Sequence, residues 1–327
     1  MLHDQIDRAT FWPLPDHSGQ SSAARRVGVE IEFAGLGVAQ TAELVARLWG
    51  GVVQAEGPRR VHVAGGCLGD MQVELDISLQ KVWIEDLAAQ ALGDLVPVEI
   101  VTAPLQQDQL DEITRLADAL HAAGGLGTQA RLAFGFGVHL NPELPERAAD
   151  IVAIIRAYGV LEEWLRGSAP LDPARRVLPF VDPWPPALIE ALADQAQWDL
   201  SELARLYAIL APARGYGLDL LPAFEHLCPD VLTPVPLSQL KGGRPTFHYR
   251  LAESRLGDPD WSLAYEWNRW VLIERVATDA DLLAQLAQGW RAYRDQVIGG
   301  KQHWISYCED LLASKTGLMT SQGLASG

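Results

Sequence analysis

VGVEIEFA, residues 27–34, is the stretch that decides the fold. Its apolar residues alternate with polar or small ones, which predicts a β-strand with one face on a hydrophobic core. The second face is unusual, because Glu30 and Glu32 leave it roughly 6–7 Å apart. Two carboxylates at that spacing repel each other unless a cation or solvent lies between them. The strand is therefore either the wet acidic edge of a sheet or one wall of a cation site.

Four further stretches repeat this alternation, at residues 70–80, 98–102, 132–141 and 244–251. Each places apolar side chains on one face, which must be covered by other elements. The other face carries carboxylates, Ser, His, Asn and Arg instead of an ordinary solvated mixture. These side chains are Glu74, Asp76, Ser78, Glu99, His139, Asn141, Arg244, His248 and Arg250. We expect an α+β fold, with a polar sheet face that carries chemistry and helices over the apolar face.

Helical periodicity and loop composition predict the remaining organisation. Apolar residues recur at three- and four-residue spacing in residues 41–49, 107–123, 146–166, 187–211 and 280–312. Residues 1–24 are expected to form a loosely held arm, and 315–327 a disordered tail. One catalytic domain would span 25–314. Its proline-rich loops and helices at about 146–240 indicate a helical insertion.

Charge and cysteine usage restrict the class of protein. A chain of 327 residues that is 48% hydrophobic can bury a large core. Its 26 basic against 42 acidic residues give a net charge of −16, which argues against nucleic acid as a partner. A local arginine cluster can still bind a nucleotide. The three cysteines are far apart, which argues against a disulfide framework or structural zinc and favours a reducing cytoplasm.

The N-terminus has no apolar core of the signal-peptide type. No stretch approaches the roughly 18 apolar residues of a membrane span. We therefore expect a soluble, cytoplasmic protein without a membrane partner.

The acids of the polar face suit a hard divalent cation. Several carboxylates on one patch raise each other's pKa or bind divalent metal, and oxygen-rich sites favour Mg²⁺ or Mn²⁺. His139 and Asn141 follow two glycines of the same face, which favours a role in contacting a ligand or phosphate. Glu74 is the acid left over as a candidate general base.

The basic residues complete the pattern for nucleotide chemistry. Arg244, His248 and Arg250 bring positive charge to the same face, and the arginine fork fits phosphate or carboxylate. Acids that hold metal and arginines that hold phosphate together suggest phosphoryl transfer. The chain has no G-x-x-x-x-G-K-[ST] loop and no strand-linked G-x-G-x-x-G, so neither a P-loop nor a Rossmann site is indicated.

Four motifs in order resemble the amidoligase family, within the glutamine synthetase and glutamate–cysteine ligase superfamily. They are RVGVEIEF at 26–33, ELDISL at 74–79, VEIVTAPL at 98–105 and GVHLN at 137–141, and residues 244–250 resemble the later basic strand. Two positions depart from the relatives: Gly137 stands where a second His is frequent, and Ile77 replaces the glycine of D-G-S.

The resemblance implies a funnel-like antiparallel sheet, as in the glutamine synthetase catalytic domain. It also implies ATP, with Mg²⁺ or Mn²⁺, and an amide formed through an acyl-phosphate. By motif position, Glu30, Glu32 and Glu99 correspond to metal-binding glutamates, and His139 to a histidine that contacts metal or phosphate. Asp76 and Ser78 match a segment near the nucleotide or substrate. Arg244 and Arg250 match phosphate-binding positions.

Two alternatives stay open at this point. A metal-dependent hydrolase could use the same acids to activate water, and it would need no nucleotide. A non-catalytic relative could retain the fold as a metal- or peptide-binding module. The partners expected of a ligase are small-molecule or peptide carboxylates and amines. Their identity and the oligomeric state do not follow from the sequence.

Overall fold

The computed structural model describes residues 2–76, 96–128, 135–168, 181–294, 300–315 and 317–319. Within these ranges the strands are β1 (Val27–Phe33), β2 (Val52–Ala55), β3 (Arg60–Gly66), β4 (Gly69–Leu75), β5 (Val98–Thr102), β6 (Val138–Pro142), β7 (Leu218–Asp219) and β8 (His248–Tyr249). They form one open sheet in the order β2-β3-β4-β5-β1-β6-β8-β7. All neighbouring strands are antiparallel.

The helices among the described residues are α1 (Val38–Trp49), α2 (Leu110–Ala122), α3 (Ala148–Ser168), α4 (Pro186–Asp194), α5 (Leu200–Leu210), α6 (Leu221–Leu227), α7 (Leu263–Thr278), α8 (Ala280–Arg294) and α9 (Gly300–Ala313). Short 3-10 helices occupy Leu2–Gln5, Gln107–Gln109, Pro229–Val231 and Leu237–Gln239. The mixed α+β class is confirmed. None of the helices in this part of the chain is long and apolar enough to span a bilayer.

β1 lies in the middle of the sheet, between β5 and β6. Its alternating apolar residues, Val27, Val29, Ile31 and Phe33, are buried in the same core cluster as the apolar sides of the helices. The other face of β1 carries Glu30 and Glu32, as the period-two pattern predicts. α1 covers part of the sheet by packing on β3 and β4.

The register brings the polar residues of four strands side by side. Glu32 of β1 pairs with Glu99 of β5, and Glu99 pairs with Glu74 of β4. On the other side of β1, Glu30 pairs with His139 of β6. Because paired residues point to the same side of a sheet, these groups share one face.

Several predicted elements have different extents in the structure. The helix predicted at 187–211 is two helices, because the Asp199 side chain accepts hydrogen bonds from the backbone N–H groups of Ser201 and Glu202 and starts α5. Of the strand predicted at 244–251, only β8 is continuous, with a single bridge from Thr246 to Glu143. Residues 77–80 and 132–134 of two predicted strands lie outside the described residues.

Helix α7 does not stand out as an amphipathic helix in the sequence, and the structure gives the reason. Its residues from Leu263 to Ala277 are buried on every side, so no polar face marks the helical period. Charged side chains within it find partners in the interior. Glu274 contacts Arg25, and Glu266 contacts Arg269.

The N-terminal segment predicted as an arm has buried contacts with α7. Ile6, Trp12 and Leu14 are buried, and the Trp12 backbone N–H donates to Asn268 Oδ1 at 2.8 Å. Within the predicted tail, Leu318 is also buried. The predicted insertion at 146–240 contains α3 to α6, but also β7, which is part of the sheet. The domain boundaries themselves stay predictions.

Candidate active site on the polar sheet face

A cavity of about 630 Å³ is walled by the polar face of the sheet and by two loops. It brings together most of the side chains that the sequence singles out: Glu30, Glu32, Glu74, Asp76, Glu99, His139, Arg244, His248 and Arg250. Asn141 joins them through a hydrogen bond to Glu30. Ser78 lies outside the described residues. The cavity also has lining residues that the strand pattern did not indicate, among them Arg214 and Lys241.

Three carboxylates form a row across the sheet, because Glu32, Glu99 and Glu74 occupy paired positions on β1, β5 and β4. Like charges directly opposite each other destabilise a sheet. Burial, and next the charges of Glu30 and Glu32, raise the pKa of Glu99 well above its usual range, and Asp76 and Glu74 add to the effect. A cation placed among these carboxylates would relieve the repulsion.

His139 is the centre of the acidic cluster. Its Nδ1 donates to Glu30 Oε2 at 2.7 Å, and its Nε2 is 3.4 Å from Glu32 Oε1. The Nδ1 atom is also 3.9 Å from Glu99 Oε1. The backbone N–H of Gly137 donates to Glu32 Oε2 at 2.6 Å. Gly137 stands at the position where the family resemblance leads us to expect a second histidine. In this chain the backbone N–H of Gly137 contacts Glu32 instead.

Glu30 is ionised in spite of being buried. Burial by itself raises its pKa, but the hydrogen bond from His139 and the charges of His248, His139 and Arg250 together hold the pKa well below its usual range. The Asn141 amide donates to the second oxygen, Oε1, at 2.9 Å. Both carboxylate oxygens of Glu30 thus have a fixed orientation.

A buried acid and histidine pair adjoins the cluster on its other side. Asp219 of β7 pairs with His248 of β8, and its Oδ2 is 3.4 Å from His248 Nδ1. Burial raises the pKa of Asp219, but its hydrogen bond with His248, followed by the charges of His248, Arg214 and Arg250, lowers the pKa overall. Burial lowers the pKa of His248.

Asp219 does not stand out in the sequence. Its strand has only two residues, Leu218 and Asp219, so no period-two pattern marks it. The short run Gly217-Leu218-Asp219 between two helices is the only local signal. Its role becomes visible only through the pairing with β8.

Cationic side chains also line the cavity. Lys241 and Arg244 come from the loop that precedes β8, and Arg214 from the loop that precedes β7. Within the described part of the chain, Lys241 and Arg244 form no ion pair, although the protein carries a net charge of −16. Arg250 lies nearer the acids, since its charge lowers the pKa of Glu30. The cavity thus has an acidic and a basic part, as an anion bound together with a cation requires.

Glu74 has an arginine partner at the exposed end of the carboxylate row. Arg60 Nε donates to Glu74 Oε2 at 2.8 Å, and the Gln72 amide donates to the same oxygen at 3.2 Å. The Arg60 side chain is half exposed, so the pair is only moderately strong. Oxygen Oε1 of Glu74 accepts no hydrogen bond from the described residues.

The donor set fits a divalent metal ion. Two groups, Glu32–Glu99–His139 and Glu30–His139–His248, each offer three ligand atoms that all lie within 4.8 Å of one another. The buried Nε2 of His248 has no hydrogen-bond partner among the residues that the structure describes, and it is 3.8 Å from Glu30 Oε2. An unpartnered buried nitrogen beside a carboxylate is a position at which a cation supplies the missing contact. Oxygens with imidazole suit Mn²⁺, and the oxygens alone suit Mg²⁺.

Comparison with known proteins agrees with this geometry. Residues 23–272 match the family described as "Putative amidoligase enzyme". The matched region contains β1 to β8 and every site residue named above. No curated protein matches the chain. Since the match extends over more than half of its length and contains the whole candidate site, the chain belongs to the amidoligase family.

Proposed function

We propose that this protein is an ATP-dependent carboxylate–amine ligase that forms an amide through an acyl-phosphate. The observation that carries the proposal is a single cavity that is lined by carboxylates and histidines together with cationic side chains. Membership of the amidoligase family supports a ligase. The substrates would be a small-molecule or peptide carboxylate and an amine. A glutamine synthetase-like arrangement of the sheet is part of the proposal.

Glu30, Glu32, Glu99 and His139 would hold Mg²⁺ or Mn²⁺. When bound, such an ion neutralises charge on phosphate oxygens and holds them in place. Asn141 would act on this site indirectly, because its amide fixes one oxygen of Glu30. Asp76 and Ser78 would contact the nucleotide, and His248 would contact the nucleotide phosphates or the ion beside them.

Arg244 and Arg250 would bind the γ-phosphoryl group and stabilise its charge during transfer. In that step an oxygen of the substrate carboxylate attacks the γ-phosphorus, the bond to the β-phosphate oxygen breaks, and ADP leaves. The product is an acyl-phosphate. Because the carboxylate and the phosphate are both anions, cationic side chains between them are what the reaction requires.

Amide formation would follow in the same cavity. The amine nitrogen attacks the acyl carbon, phosphate leaves with its electron pair, and the nitrogen loses a proton. Glu74 is the proposed proton acceptor, since it lines the cavity and its Oε1 accepts no hydrogen bond from the described residues. Arg60 and Gln72 hold the other oxygen and so orient the carboxylate.

Trapping with hydroxylamine tests this proposal. The full chain is incubated with ATP and Mn²⁺, with amino acids and dicarboxylic acids as carboxylates, and with hydroxylamine as the amine. A ligase of this kind gives a hydroxamate together with phosphate, and both require ATP and the acid. Phosphate release that needs neither acid nor amine would instead indicate a hydrolase. Binding of Mn²⁺ without any ATP affinity would indicate a binding protein.

A further inference from the structure

We infer that Asp219 is a positioning residue, which fixes His248 in the tautomer whose Nε2 can accept a cation. Asp219 is completely buried and pairs directly with His248 across two short strands. The inference rests on the cation-binding part of the proposed function, and it adds a residue that the strand pattern did not indicate.

The carboxylate of Asp219 is held from two sides. The backbone N–H of Leu221 donates to Oδ1 at 3.0 Å, and Arg214 Nε donates to Oδ2 at 2.9 Å. The partner of Oδ2 is a permanently charged guanidinium, which favours the ionised carboxylate. An ionised carboxylate can only accept hydrogen bonds. Any ring nitrogen that contacts it must therefore carry the proton.

The ring nitrogen that contacts Asp219 is Nδ1 of His248, at 3.4 Å from Oδ2. Glu30 is the competing acceptor, but its Oε2 is 3.8 Å from Nε2 and accepts the shorter bond from His139 at 2.7 Å. The nearer carboxylate, Asp219, therefore accepts from Nδ1, and Nδ1 carries the ring proton. Nε2 is left with its lone pair, buried and without a hydrogen-bond partner from the described part of the chain.

The lone pair is directed to the place where a cation fits. His248 forms a group of possible ligands with Glu30 and His139, and its Nε2 is the nitrogen 3.8 Å from Glu30 Oε2. The two imidazole rings meet edge-on with their centroids 5.2 Å apart. A histidine ligand whose other nitrogen donates to a carboxylate is a common arrangement at metal sites, because that bond fixes both tautomer and ring orientation. Arg214 lines the same cavity and anchors the carboxylate.

Replacement of Asp219 by Asn tests the tautomer directly. With its oxygen kept on the Leu221 N–H, the amide would turn its nitrogen, a donor, towards His248 Nδ1 and would lose the hydrogen bond from Arg214 Nε. The proton of His248 would then move to Nε2 and block the cation position. We expect Asp219→Asn to weaken Mn²⁺ binding by about 10- to 100-fold, the range found when such orienting contacts are removed. Calorimetry or electron paramagnetic resonance of free Mn²⁺ measures this without any turnover.

A double-mutant cycle separates positioning from a general structural effect. If Asp219 acts through His248, the double variant Asp219→Asn, His248→Gln binds Mn²⁺ no more weakly than His248→Gln alone. Equal affinity of Asp219→Asn and wild type, or fully additive losses, would overturn the inference. Asp230→Asn is the matched control, since Asp230 is exposed, and it should bind Mn²⁺ like wild type.

If Asp219→Asn does not fold, the tautomer of His248 can be measured in the wild-type chain. Long-range proton–nitrogen NMR of the metal-free protein shows which nitrogen of His248 carries the proton. A proton on Nδ1 is the expected result, and a proton on Nε2 would overturn this inference without touching the proposed function. A wild-type chain that binds no Mn²⁺ would contradict the proposed function.

Discussion

Glu32 and Glu99 lie directly opposite each other on neighbouring antiparallel strands, with Glu74 on the far side of Glu99. Such a row is unfavourable for the metal-free chain, because like charges repel across a strand pair. The protein retains it at the wall of the candidate-site cavity. We infer that the row lowers the stability of the metal-free protein and that a bound cation removes the repulsion.

Replacement of Glu99 by Gln should stabilise the metal-free protein at near-neutral pH. The folded-state pKa of Glu99 is raised, so this group lowers stability increasingly as pH rises above the unfolded value of 4.5, and the cost disappears as pH falls to that value. We expect a gain of about 1 kcal/mol, or roughly 2 °C in melting temperature, that vanishes in acid. Thermal unfolding at several pH values measures it.

The exposed Glu43 of α1 provides the control, since Glu43→Gln should change stability by less than about 0.5 kcal/mol. Added Mn²⁺ should raise the melting temperature of wild type more than that of Glu99→Gln. A variant that melts at or below the wild-type temperature without metal would show that the carboxylate row is not strained.

Two adjacent arginines should differ sharply in their contribution to stability. Arg25 donates to both oxygens of the fully buried Glu274, at 2.6 and 2.9 Å. Arg26 pairs with Glu143, and its side chain is 48% exposed. Arg25→Met should cost about 3–5 kcal/mol because it removes the guanidinium from a buried carboxylate, which then keeps the contacts from His17 and Trp270. Arg26→Met should cost less than about 1 kcal/mol. Urea unfolding of both variants checks this, and equal losses would contradict it.

Glu274 should also contribute to acid unfolding. Burial raises its pKa, but the charge of Arg25 and the contacts with His17 and Arg25 lower the pKa to about 2. The stabilisation is therefore present above the unfolded value of 4.5 and is lost as pH falls through about 2. The stability gap between wild type and Glu274→Gln should narrow over that window. A gap that stays constant in acid melting experiments would exclude the mechanism.

The loop that carries Lys241 and Arg244 depends on Gly243. A Cβ atom at this position would lie 2.4 Å from the backbone nitrogen of His226, so Gly243→Ala must shift the loop. We expect the KM for ATP to rise about 10-fold or more, while Mn²⁺ affinity stays unchanged. Gly37→Ala is the matched control, because a Cβ at Gly37 meets open space. An unchanged KM would mean that the loop does not bind the nucleotide.

The central strands and most of the residues that line the candidate site could be predicted from the sequence, because both depend on the two-residue alternation of side chains along a strand. Side chains two residues apart on a strand must share a face, so Glu30 with Glu32 and His139 with Asn141 could be placed without coordinates. The register between strands could not be predicted in this way. That Glu32 meets Glu99 depends on strand pairing, which a single sequence does not specify.

Strand β2, helix α7 and the role of Asp219 could not be predicted from the sequence, each for a physical reason. β2 is exposed along its whole length, so it has no apolar face to detect. Helix α7 is buried on all sides and has no polar face. Asp219 lies on a two-residue strand, and its function depends on His248, which follows it by 29 positions in the chain. Long-range pairing of short segments leaves almost no local signal.

In the proposed reaction a carboxylate oxygen attacks ATP, and one isotope measurement tests this step most directly. The acid that gives a hydroxamate is labelled with heavy oxygen in its carboxylate, and the released phosphate is examined by mass spectrometry. An acyl-phosphate route predicts one labelled oxygen in each phosphate formed with the amide, because that oxygen stays with phosphorus when the amine displaces phosphate. Unlabelled phosphate, with label appearing only when the water is labelled, would contradict the ligase and identify a hydrolase.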